Sequence, residues 1–217
     1  MSTRQLLEDA KQSIRYGEQD PLPVMEQFYT LQGEGIWAGS AAYFVRLAGC
    51  DVGCHWCDVK DSWSVAPSQY VSVAEITAKA KAAGANRVVI TGGEPSIYDL
   101  SALTSSLHEM GMFVHIETAG VHAPSGDIDW ICLSPKKFLT AQEAWFQLAH
   151  ELKVIISIGQ DLIWAETLAA RCHPDTQLLL QAEWSRKEQV HPLLIEYIKK
   201  FPRWRLSIQT HKHLDIP

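Results

Sequence analysis

A regular alternation of two kinds of segment constrains this chain more than any other feature. Short strand-like runs recur at 24–30, 42–47, 87–91, 112–117, 130–134, 152–156, 177–181 and 204–208. Between most of them lie segments whose apolar residues repeat at helical spacing: 73–83, 99–110, 140–150, 160–172 and 187–200. Ser72-Val-Ala-Glu75 reads as a capping box opening the first of these, and Gly84 stops it. Strands alternating with helices pair in parallel, which predicts an α/β architecture with ligands at the carboxyl ends of the strands. At 217 residues the chain is shorter than the roughly 250 of a complete eightfold barrel. An incomplete β/α barrel of mostly parallel strands, one domain over 1–217, is therefore expected. Leu6, Leu7, Ala10 and Ile14 predict a helix over 3–16, within an N-terminal extension over 1–20.

Composition narrows the class. An apolar content of 47% with 20% charged residues suits a soluble globular chain, and no apolar run approaches the ~18 residues of a membrane span. The polar start, Met1-Ser-Thr-Arg-Gln-Leu-Leu-Glu-Asp, does not match a secretory signal, so a cytoplasmic setting with reduced thiols is expected. A net charge of −6 argues against a nucleic-acid surface. The basic residues Arg203, Arg205, His211 and Lys212 read as a small-anion contact or a solvated face.

Three of the five cysteines fall in one short stretch, Cys50-Asp-Val-Gly-Cys54-His-Trp-Cys57, after the strand ending at Leu47. Thiolates at this spacing converge on a soft metal centre, zinc or an iron–sulfur cluster. Structural zinc normally closes with four protein ligands. His55 is the available fourth, but its place between two cysteines strains the loop. Cys132 and Cys172 read as small core residues. Trp56 and Trp63 read as packing near the loop, and Lys153 as a paired charge at the end of the sheet.

The C-x3-C-x2-C spacing resembles the radical S-adenosylmethionine (SAM) superfamily. That resemblance implies a [4Fe–4S] cluster on Cys50, Cys54 and Cys57, whose open iron is chelated by SAM. Reductive cleavage then gives methionine and a 5′-deoxyadenosyl radical. Thr91-Gly92-Gly93-Glu94-Pro95, directly after a predicted strand, is similar to the superfamily's GGE motif, which implies that Gly93 and Glu94 hold SAM. Further segments narrow the match: Glu26-Gln-Phe-Tyr-Thr-Leu-Gln-Gly-Glu-Gly35, Phe44-Val-Arg-Leu-Ala-Gly-Cys50, Glu117-Thr-Ala-Gly120, Leu133-Ser-Pro-Lys136, Glu151-Leu-Lys-Val154 and Gln209-Thr-His-Lys212. From about residue 24 onward the chain resembles the 7-carboxy-7-deazaguanine synthase family. Other readings of the cysteine loop are a glycyl-radical activase, which would lack the Leu-Gln-Gly-Glu-Gly and Gln-Thr-His-Lys segments, and a non-catalytic zinc module.

The resemblance implies conversion of 6-carboxy-5,6,7,8-tetrahydropterin to 7-carboxy-7-deazaguanine with loss of ammonia, in deazapurine (queuosine) synthesis. It implies SAM contacts from Ser134, Pro135 and Lys136. It also implies substrate contacts from Leu31, Gln32, Gly33, Glu34, Arg46, Thr91 and His211, and from a C-terminal Pro217 folded back over the pterin. Arg46 suits a carboxylate because a guanidinium pairs with it bidentately. A homodimer and a flavodoxin-type electron donor are implied in the same way. The chain departs from the family at one place. Relatives carry Thr or Ser two residues after the last cluster cysteine, where the hydroxyl reaches Mg2+, and this chain has Val59. Valine has no oxygen for a hard cation, so the Mg2+ requirement is put in doubt, with Lys60 a candidate for the positive charge.

Overall fold

The computed structural model describes residues 21–217, so the helix expected over 3–16 lies outside the described residues. Those described residues form one nine-stranded sheet, in the order β3-β1-β2-β4-β5-β6-β7-β8-β9. The strands are β1 (Leu22–Leu31), β2 (Ala41–Leu47), β3 (Tyr70–Val71), β4 (Arg87–Gly92), β5 (Phe113–Thr118), β6 (Trp130–Leu133), β7 (Glu151–Ile156), β8 (Gln177–Ala182) and β9 (Trp204–Ser207). β1 runs antiparallel to β2 and β3, while β2 and β4 to β9 are parallel to one another. From β2 onward each new parallel strand is added on the same side, the winding of a barrel rather than of a doubly wound sheet. β3 and β9 remain edges, so the barrel is incomplete, as expected.

The helices are α1 (Val73–Ala82), α2 (Ser101–Glu109), α3 (Glu143–Leu148), α4 (Asp161–Ala169), α5 (Lys187–Lys200) and α6 (Thr210–Leu214). α1 buries Val73, Ile76, Thr77 and Ala80, one stripe at spacings of three and four. Ser72 caps it, its hydroxyl accepting the Glu75 N–H at 3.2 Å. The reciprocal half of the expected capping box is replaced by an ion pair, because Glu75 turns to Lys79 at 2.8 Å. Leu100, Leu103, Thr104 and Leu107 repeat the stripe on α2. The short β3 and the C-terminal α6 were not expected from sequence. Both are too brief for a periodic signal.

Successive strand residues face opposite sides of the sheet, and here the two faces differ in chemistry. Val88, Ile90, Val114, Ile116, Leu152 and Val154 face the helices and form the core, all fully buried. The alternate residues, among them Arg46, Thr91, His115, Glu117, Lys153 and Gln181, face the concave lumen. The loop from Gln32 to Ser40 closes the floor of that lumen. Trp37 packs edge-on against Phe113 and Trp130, under the Arg87 guanidinium. The buried Glu151 carboxylate accepts the Ile36 N–H at 2.9 Å.

Candidate active site

The cysteine loop is a closed excursion from β2. Its base is clamped by two backbone hydrogen bonds, Gly49 N–H to Ser62 O at 2.7 Å and Cys50 N–H to Trp63 O at 3.3 Å. The end of β4 is laced to the same place, with Gly93 N–H on Leu47 O and Glu94 N–H on Gly49 O, both at 2.9 Å. Two glycines permit this approach. A Cβ at Gly92 would lie 2.1 Å from Leu47 O, and one at Gly93 would lie 2.0 Å from Gly49 O. The glycine pair of Thr91-Gly92-Gly93-Glu94 thus seats the cysteine loop as well as lining the cavity beside it.

That cavity has a volume of about 740 Å3 and opens at the carboxyl ends of the parallel strands. Cys50, Cys54 and Cys57 line it. Burial pushes the Cys50 and Cys54 thiols up, and the Lys136 ammonium partly offsets this at Cys54. A multivalent iron centre supplies the positive charge that turns such thiols into thiolates. Among the described residues no three His, Cys, Asp or Glu side chains gather as one metal ion requires. Cys50, Cys54 and Cys57 are free and partly exposed on one loop, the thiol donor set that an iron–sulfur cluster takes. His55 is exposed and packs edge-on against Trp56 at 4.3 Å.

Glu94 is buried and held by the protein itself. Its Oε1 accepts Ser96 N–H at 3.0 Å, Ser96 O–H at 2.6 Å and the Thr118 hydroxyl, while Oε2 accepts only Ala119 N–H at 2.7 Å. A carboxylate oxygen has two lone pairs, so Oε2 keeps capacity for one more donor. Ser134 and Lys136 also line the cavity, and Lys136 Nζ donates to Ser134 O at 2.6 Å. Pro135 is buried and is not part of the lining.

Deeper in the lumen, Leu31, Gln32, Gly33, Glu34, Arg46 and Thr91 all line the same cavity, as do His211 and Pro217. Arg46 gives its Nε–H to Glu26 at 2.6 Å, so the surface ion pair and the cavity position coexist. Gly33 O accepts Thr210 N–H at 2.9 Å, which ties the loop after β1 to α6. The basic residues near the C-terminus do not form one patch. Arg203 pairs with Glu166, whereas Lys212 pairs with Asp58 and so bridges α6 to the cysteine loop.

Several lining residues escaped the sequence reading. Lys153 is not at the sheet's end; it is buried mid-strand between Glu34 and Glu117. Gln181, Glu183, Trp184 and Ser185 come from β8 and the turn after it. Their position at a strand's carboxyl end was the available signal. Val59 lines the cavity, but Lys60 does not, since its ammonium lies over the Trp63 ring. Cys132 is fully buried on β6, and Cys172 donates to Leu168 O.

Comparison with known proteins gives one family. A model of the Radical SAM superfamily matches residues 45–137. The 7-carboxy-7-deazaguanine synthase of Flavobacterium psychrophilum is 46% identical over 98% of this chain and 100% of the relative. The enzyme of that name from Synechocystis is also 46% identical, over 89% of this chain and 93% of its own. The crystal structure of QueE from Escherichia coli superposes with a TM-score of 0.80 at 33% identity, covering 89% of this chain and 95% of that one.

Proposed function

Because the chain belongs to the 7-carboxy-7-deazaguanine synthase family of radical SAM enzymes, we propose that its cavity takes 6-carboxy-5,6,7,8-tetrahydropterin and returns 7-carboxy-7-deazaguanine and ammonia. The family implies a [4Fe–4S] cluster and SAM, and when bound they supply the electron and the hydrogen-abstracting chemistry. The observation that carries the reading is convergence. A cysteine loop, a Gly-Gly-Glu turn and an arginine- and glutamate-lined lumen open into one cavity.

In this reading Cys50, Cys54 and Cys57 hold the cluster at the mouth. Gly93, the spare acceptor capacity of Glu94, and Ser134 and Lys136 hold SAM beside it, with the buried Pro135 between the last two. Leu31, Gln32, Gly33 and Glu34 bind the pterin ring, with Thr91 and His211 at its sides and Pro217 over it. Arg46 takes the substrate carboxylate through its terminal Nη pair, since Glu26 already occupies Nε. The Trp37 loop packs under the floor of the lumen and α6 lies at its mouth, which limits the access of water from both sides.

Two further parts rest on the family resemblance: a homodimer and a flavodoxin-type donor in a cytoplasmic setting. Among the described residues no helix is long and apolar enough to cross a membrane. Mg2+ dependence is weak in this reading, because Val59 offers no oxygen. Val59→Thr should strengthen the response to Mg2+, and identical titrations of the two proteins would show that position 59 does not set it.

Anaerobic reconstitution tests the whole assignment. The protein should take up iron and sulfide near four per chain and convert the carboxytetrahydropterin to the deazaguanine product in a SAM-dependent manner. Cys50→Ala, Cys54→Ala or Cys57→Ala should each abolish both, whereas Cys132→Ala should leave iron content unchanged. Zinc in place of iron, or no turnover of the pterin, would overturn it.

A further inference from the structure

Lys153 lies on the lumen face of β7 with 5% of its side chain exposed, and its ammonium sits between two carboxylates. It donates to Glu34 Oε2 from the loop after β1 and to Glu117 Oε2 from β5, the latter at 3.0 Å. The other oxygen of each carboxylate is also fixed, Glu117 Oε1 by Gln32 at 2.8 Å and Glu34 Oε1 by Gln209 at 2.9 Å. Two carboxylates from separate segments therefore share one buried cation, and a glutamine braces each of them.

We propose that Lys153 is a positioning residue for substrate recognition: it holds Glu34 and Glu117 aimed into the lumen as hydrogen-bond acceptors, so that they read the N–H and amino edge of an aminopyrimidinone ring. The inference rests on the pterin assignment above. The chemistry follows from the charges. Two carboxylates brought together without a cation retain a proton between them, and a protonated carboxyl presents a donor where the ring edge needs an acceptor. Burial alone would push the Glu117 carboxyl up, but Lys153, then His115, hold it well below the usual carboxylate range. The other charged or titratable groups facing this cluster are Cys132 from β6, Lys136 from the loop after β6, Glu151 from β7 and His211 from α6.

The test uses the reconstituted enzyme and Lys153→Met, which keeps the side chain's length and removes its charge. Iron content and circular dichroism equal to wild type qualify the variant as folded. Its kcat/KM for the carboxytetrahydropterin should fall about 100-fold at pH 7, chiefly through KM. The deficit should shrink as pH rises from about 6 to 9, because the acceptor form returns above a raised carboxyl pKa. An unchanged KM, or a deficit that is the same at every pH, would overturn the proposal. If the variant does not fold, the wild type decides with a pterin analogue lacking the 2-amino group. Loss of at least tenfold in kcat/KM is expected, and equal use of the analogue would refute the role. Wild-type enzyme that ignores the carboxytetrahydropterin would instead sink the substrate assignment, a result read before any variant is made.

Discussion

Arg46 shows how one residue serves two demands. Glu26 fixes the guanidinium through Nε and leaves the Nη pair for a planar partner. Lysine keeps the charge but not the fork, so Arg46→Lys should lower kcat/KM for the pterin by roughly 1.5–3 kcal/mol per lost bond, with SAM binding unchanged. Normal substrate kinetics would remove Arg46 from the site. His115 shows the opposite economy. It is fully buried on the lumen face, both ring nitrogens lack a hydrogen-bond partner among the described residues, and burial drives its pKa down to about 4. A depressed pKa means the unfolded chain binds the proton more tightly. Its contribution to stability is therefore present above about pH 6.5 and is lost as pH falls towards 4, by about 3 kcal/mol in all. His115→Leu should flatten that window in urea unfolding curves, and equal pH slopes for the two proteins would show that another group governs it.

At the scale of elements, the junction between the cysteine loop and the end of β4 holds the site together. Gly93→Ala puts a methyl group 2.0 Å from Gly49 O and 2.9 Å from Ser62 O, both backbone atoms that cannot swing aside. The variant should lose roughly 1–3 kcal/mol of stability and, because the loop base shifts, should hold less iron than wild type. Full iron content with an unchanged melting temperature would show that the loop seats itself without this contact.

At the scale of the whole molecule, the loop after β1 and the last helix bridge across the open barrel. The loop after β1 reaches the last helix through Gly33 and Thr210 and reaches β9 through Ser207, which accepts Gly35 N–H at 3.1 Å. Beyond α6, Asp215 takes the left-handed conformation at φ 54° and reverses the chain. Ile216 N–H then returns to His211 O at 3.2 Å, and Pro217 lines the cavity. Deleting Ile216 and Pro217 should impair pterin turnover severalfold or more while iron content and substrate-free SAM cleavage persist. Wild-type kinetics from the truncated protein would rule out a role for the tail.

The strand and helix periods, the parallel α/β class, the cysteine loop and the Gly-Gly-Glu turn were all legible in the amino-acid sequence. Each rests on local chemistry: apolar spacing over a few residues, or several ligands within one loop. The partners of Lys153 were not legible, because Glu34 is 119 residues away and Glu117 is 36 residues away. A lysine on a strand reads as a surface charge until the curvature of the sheet turns that face inward. The second task of Gly92 and Gly93 was hidden for the same reason, since backbone contact between β2 and β4 exists only once the strands pair. Residue type and spacing determined which chemistry the chain carries. Only the order and curvature of the strands in the sheet decided which charges face one another, because that depends on strand order and stagger rather than on any local run.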